Sequence, residues 1–132
     1  MRLKQNRLQT YSHRMAETVT DNEGCPIVQY AAPCPFRAEM WAAGGKLQTE
    51  LYGIRLPNIR NLRLEGKYRE VADGNACRFE MEDGPCITVG DGICMYVPPD
   101  AEPDYAVVAI HPYSFLTLEV EKRVSTTAGQ PS

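Results

Sequence analysis

The sequence predicts a mostly β fold: a small antiparallel β-barrel or sandwich with a long inserted loop, able to hold a short helix, around residues 43–57. Three observations carry that reading. Short runs alternate apolar and polar residues, the period-two signature of half-buried strands. Ten glycines and ten prolines are spread along 132 residues and punctuate the chain into short elements joined by turns. One stretch, residues 42–58, breaks the alternation. The length suits one domain able to bury roughly two-thirds of its unfolded surface. Residues 1–124 are therefore read as a single barrel, and the small, polar residues 125–132 as a flexible tail.

Residues 8–15 alternate as a first strand, with His13 pointing outward. Asp21-Asn22-Glu23-Gly24 is a turn, since Asn and Gly tolerate left-handed backbone angles. Residues 26–30 form a short second strand, and Pro33 and Pro35 then interrupt regular structure. Residues 36–41 alternate again, placing Phe36, Ala38 and Met40 on one face and Arg37, Glu39 and Trp41 on the other. In the inserted segment Leu47, Leu51 and Ile54 recur at spacings of four and three, which fits a helical turn or two ended by Gly53. An extended loop fits equally, because Gly44-Gly45 and Pro57 flank it.

Further strands are expected over residues 59–64, 76–81, 86–89, 93–97, 105–110 and 115–121. Turn signals separate them, among them Glu65-Gly66, the tight turn Gly90-Asp91-Gly92, Pro98-Pro99 and His111-Pro112-Tyr113-Ser114. In the last strand Leu116, Leu118 and Val120 face the core, while Phe115, Thr117, Glu119 and Glu121 face away. Seven to nine strands result.

The net charge is −3, but it is unevenly divided. Residues 1–69 hold eleven Lys/Arg and six Asp/Glu, giving +5, and residues 70–132 hold three and eleven, giving −8. The two halves either interleave and cancel, or form a polar subunit whose positive face meets a neighbour's negative face. Five cysteines form no Cys-x2-Cys pair, and an odd number makes a poor disulfide framework. They are expected to be free thiols acting as small core hydrophobes. Residues 1–7 carry charge with no apolar core behind them, so no cleavable leader is expected, and no apolar run approaches the length that spans a bilayer. Synthesis in a reducing cytosol, without a membrane partner, is the expectation.

No catalytic template is met. His13 and His111 stand in unrelated surroundings, and no Gly-x-Ser-x-Gly elbow is present. Gly90-Asp91-Gly92 lacks the Lys-Ser/Thr of a phosphate loop, and a hairpin turn explains it. Glu80, Glu82 and Asp83 read as a solvated edge rather than a cation site. His111 reads as a turn residue. No catalytic residue, metal or cofactor is expected, and the chain is not read as an enzyme.

The run Glu39-Met40-Trp41-Ala42-Ala43-Gly44-Gly45-Lys46-Leu47-Gln48-Thr49-Glu50-Leu51-Tyr52-Gly53 resembles the head–tail joining, or head-closure, proteins of tailed bacteriophages. So do Asp91-Gly92-Ile93-Cys94-Met95-Tyr96-Val97, the strand residues 103–110 and Leu116-Thr117-Leu118-Glu119-Val120-Glu121-Lys122. The opening Arg7-Leu8-Gln9-Thr10-Tyr11 and the turn at residues 21–24 fit as well. The segment between Leu64 and Gly90 departs most from the pattern.

The resemblance implies a virion protein made in the host bacterial cytoplasm and built into the neck. It implies a small barrel whose copies, six or twelve, form a homo-oligomeric ring beneath a portal or adaptor protein. That ring closes the DNA-filled head and offers a surface to a tail terminator or other tail proteins. A loop near packaged double-stranded DNA should carry cations for phosphate, without reading base sequence. Lys46, Arg55, Arg60 and Arg63 lie in or beside the insert; a solvated basic face is the plainer alternative. Trp41, Leu47, Leu51, Tyr52 and Ile54 are many apolar groups for an exposed loop. They either anchor a neighbouring subunit or close over their own barrel. Two other classes stay open: a tail terminator or minor capsid protein, and a small β-barrel binding module of the host.

Overall fold

The structure, a computed structural model, describes residues 8–73, 76–82 and 84–123. Arg7, Asp83 and the tail at 125–132 lie outside the described residues. Along the chain run β1 (Leu8–Arg14), β2 (Ala16–Thr20), β3 (Pro26–Tyr30), β4 (Cys34–Ala42), helix α1 (Gly45–Tyr52) and a 3-10 segment (Gly53–Asn58). There follow β5 (Ile59–Leu64), β6 (Tyr68–Asp73), β7 (Ala76–Met81), β8 (Cys86–Ile87), β9 (Gly92–Cys94), β10 (Tyr105–Pro112) and β11 (Leu116–Lys122). Six strands close an antiparallel barrel in the order β1-β4-β5-β11-β10-β9. Closure removes the exposed edges that an open sheet would leave. Strands β2 and β3 form a separate two-stranded hairpin, and β6, β7 and β8 a three-stranded sheet.

The mostly β fold expected from the sequence is therefore present, as a barrel with one short helix in the insert. Strands β2 and β6 were not expected. Ala16-Glu17-Thr18-Val19-Thr20 and Tyr68-Arg69-Glu70-Val71-Ala72-Asp73 are strands mainly because β3 and β7 pair with them in register.

The barrel core follows the alternation. Tyr11, Phe36, Ala38, Leu62, Leu64, Leu116, Leu118 and Val120 point inward and are buried. Phe79, Met81 and Ile87 of the three-stranded sheet join the same cluster, so that sheet packs on the barrel rather than standing apart. Strand β4 keeps the expected faces, with Phe36 and Ala38 buried and Arg37 and Trp41 exposed.

Three expectations are corrected by the interior. His13 does not point to solvent: it is 3 % exposed, and its Nε2 lies 2.7 Å from Asp91 Oδ2. Asp91 is not the tip of a hairpin, because β8 pairs with β7 whereas β9 pairs with β1 and β10. Its carboxylate instead accepts hydrogen bonds from the main-chain N–H groups of Thr88 and Ala16, at 2.9 and 3.2 Å. Its carbonyl accepts from Val107, where β10 carries a bulge. One buried acid thus ties β1, β2, the β8–β9 connection and β10 together. Beside it, a Cβ on Gly92 would stand 2.4 Å from Pro103 Cγ, so only glycine fits there.

The third correction concerns the thiols. None of the five is in a disulfide, but only Cys94 is buried; Cys25 and Cys77 are exposed, and Cys34 and Cys86 are partly so. Among the described residues no helix is long and apolar enough to cross a membrane.

Candidate functional site

The insert joins β4 to β5, which pair directly with each other, so sixteen residues, 43–58, rise from what would otherwise be a hairpin. Gly45 opens the helix at φ 86° and Gly53 closes it at φ 56°, angles that penalise any residue with a Cβ. No side chain of the N-cap serves the first turn. Gln48 does so from within: its Oε1 accepts from Gly44 N at 2.9 Å, while its Nε2 donates to Asn61 Oδ1 on β5 at 2.9 Å.

The helix docks polar side inward. One turn beyond Gln48, Tyr52 is buried and donates its hydroxyl hydrogen bond to Glu119 Oε1 on β11. The other oxygen of Glu119 lies 2.9 Å from His111 Nε2 on β10. His111 is therefore a strand residue of this cluster, stacked on Tyr113, rather than part of a turn. The outer face of β11 is also more buried than its alternation implies: Thr117 is 8 % exposed and Glu119 7 %.

Burial works against the Glu119 charge, but hydrogen bonds from Tyr52, His111 and Gln48 and the neighbouring imidazole outweigh it. The carboxyl is held below its usual range. Tyr52 moves the other way, raised by burial and then by its bond to Glu119. The proton stays on the phenol and the charge on the carboxylate, which is the arrangement the hydrogen bond needs.

The apolar stripe faces away from the barrel. Leu47 is 77 % exposed, Leu51 65 % and Ile54 97 %. Trp41, at the end of β4, is 38 % exposed and carries the Arg63 guanidinium over its ring at 4.9 Å. Of the five expected interface residues, four are open to solvent, and Tyr52 is the exception because Glu119 takes its hydroxyl.

The four basic residues are placed differently from one another. Arg55 forms two hydrogen bonds to Glu121, and that pairing holds the Glu121 carboxyl below its usual range. Arg63 lies 3.7 Å from Glu39. Arg60 donates to the main-chain carbonyls of Pro57 and Ile59 rather than to a carboxylate. Lys46 is exposed beside Leu47.

A second surface was not foreseen from the sequence. The β2–β3 hairpin projects from the barrel as an arm. Residues 22–29 are all exposed, including Ile27 at 41 % and Val28 at 56 %. Its base is firmly held: Arg14 donates to the carbonyls of Tyr30, Ala31 and Ala101, and Asp91 accepts from Ala16 N. The composition carries a readable signal, since Glu17, Asp21 and Glu23 occur between Met15 and Pro33 without a single Lys or Arg. Gln48, Asn61, His111 and Glu119 had no such signal, because each is an ordinary polar residue in sequence.

Among the described residues no group of His, Cys, Asp and Glu is placed to hold a metal ion. A cleft of ≈510 Å³ lies between the barrel and the three-stranded sheet, lined in part by Phe36, Arg37, Glu65, Lys67 and Met81. Arg37 and Glu65 lie 3.6 Å apart there. No family model matches the chain, and no curated protein or solved structure was found to be similar to it.

Proposed function

We propose that this protein is a structural assembly subunit, a head-closure subunit of a tailed-bacteriophage neck that forms a ring between portal and tail and retains packaged DNA. One observation carries the assembly part: a helix held to the barrel by its polar side, with Leu47, Leu51 and Ile54 turned to solvent. Exposing three large apolar side chains on a well-anchored element is unfavourable for a solitary molecule and suits one whose partner covers them. The phage-neck part rests on the resemblance of the insert and closing strands to head-closure proteins. Arg60, which among the described residues bonds to main-chain carbonyls rather than to a carboxylate, is the cation we assign to DNA in the channel.

Electron microscopy of necks assembled with and without the chain tests the reading. Density for a ring of this subunit between portal and tail is expected. Replacing residues 44–56 by a short turn should leave the barrel folded and stop neck assembly, and Arg60→Gln should let DNA leak from filled heads. A neck that completes and holds its DNA without this chain would sink the reading.

A further inference from the structure

We propose that the acidic arm of one copy docks on the inserted helix of the next copy. The inference rests on the assembly reading above and names the contact that would build the assembly. Both surfaces leave apolar side chains in water: Ile27 and Val28 on the arm, and Leu47, Leu51 and Ile54 on the insert. Their charges are complementary. Glu17 and Glu23 are exposed on an arm with no cation, and Lys46 is exposed beside Leu47 in the first turn of the helix. The arm is also incomplete by itself. A lone two-stranded sheet is marginal in water, with unpaired outer edges, and here the side-chain bonds that hold it to the barrel sit at its base.

Position supplies the remaining argument. The arm enters β4 at Cys34, and the insert leaves it at Ala42. Nine residues of extended strand separate the two by about 26 Å. Arm and helix therefore cannot satisfy each other within one molecule. They can do so between molecules, by a head-to-tail contact that leaves an arm free at one end of a growing chain and a helix free at the other. Such a contact closes into a ring if its rotation allows.

The test uses two surface variants, Ile27→Asp on the arm and Leu51→Asp on the helix, with melting curves to show that both remain folded. Sedimentation of the full-length protein up to about 1 mM should show assembly of the wild type. Each variant alone should need at least about tenfold more protein to associate. Mixed together, the two should form a one-to-one dimer and stop there, because only one intact arm–helix pair remains. Lys46→Glu should weaken association, and Glu17→Lys with Glu23→Lys in the partner copy should restore it. Variants that assemble as the wild type does would overturn the docking while leaving the subunit reading in place. So would homodimers of a single variant, which mark a symmetric contact. A wild type that stays monomeric also overturns the docking, and the neck-assembly assay then decides the subunit reading separately.

Discussion

Strand β11 and helix α1 lie against each other, and each carries apolar residues at the regular spacing of its own element. In β11 that stripe does what periodicity says: Leu116, Leu118 and Val120 are fully buried in the barrel. In the insert the stripe Leu47 and Leu51 of α1, continued by Ile54 of the 3-10 segment, is turned outward, and Gln48 and Tyr52 meet the barrel instead. The difference lies in what each element has to face. The inside of the barrel is apolar, so it selects apolar partners. The patch of outer wall beneath the helix presents Asn61, Glu119 and His111, whose buried polar atoms require hydrogen-bonding partners. Periodicity finds a face of a helix; it does not say which face is covered.

Four measurements can break or sharpen this contrast. The largest effect is expected inside the barrel, where Leu118→Ala should cost about 2–5 kcal/mol in denaturant unfolding. A loss under about 0.5 kcal/mol would remove the distinction between the two stripes. Next comes Glu119→Ala, which strips the acceptor from Tyr52 and from His111 and should cost about 1–3 kcal/mol.

The pH dependence of that second cost is a sharper probe. Glu119 titrates lower in the fold than its unfolded value of about 4.3, so its contribution is present above that pH and lost as pH falls through the folded pKa. The gap between wild type and Glu119→Ala should be level near neutrality and shrink on the acid side. Tyr52 sets the opposite limit. Its folded pKa is raised, so its contribution is present below about pH 10 and lost as the solution becomes more alkaline. A gap unchanged in acid would show that the charge of Glu119 does not hold the helix. The smallest effect belongs to Leu51→Ser, which should leave fold stability within about 0.5 kcal/mol. A loss of 2 kcal/mol or more would mean that the stripe packs on its own barrel.

Much of the barrel was legible in the chain. The faces of β4 and the inward residues of β11 follow from alternation alone, and Gly53 ends the helix where its backbone freedom is needed. His13, Asp91 and Glu119 were not legible. Each looks like a surface residue in its own strand or turn, and each becomes buried because a distant segment closes over it: Asp91 over His13 from 78 positions away, and Tyr52 over Glu119 from 67. The same holds for the four thiols outside the core, since nothing in their own stretches of sequence tells them apart from the buried Cys94.

The sequence by itself therefore determined the class of fold, the position of the insert and the residues that fill the barrel. These depend on local periodicity and on turn residues a few positions apart. Only the tertiary structure decided that the insert docks with its polar side down, that a buried aspartate ties β1, β2 and β10 to its own connection, and that an acidic arm and an apolar helix stand at opposite ends of β4. Those outcomes depend on which polar atoms are desolvated when distant strands meet, and a buried hydrogen-bonding group left unpaired costs more than an exposed leucine.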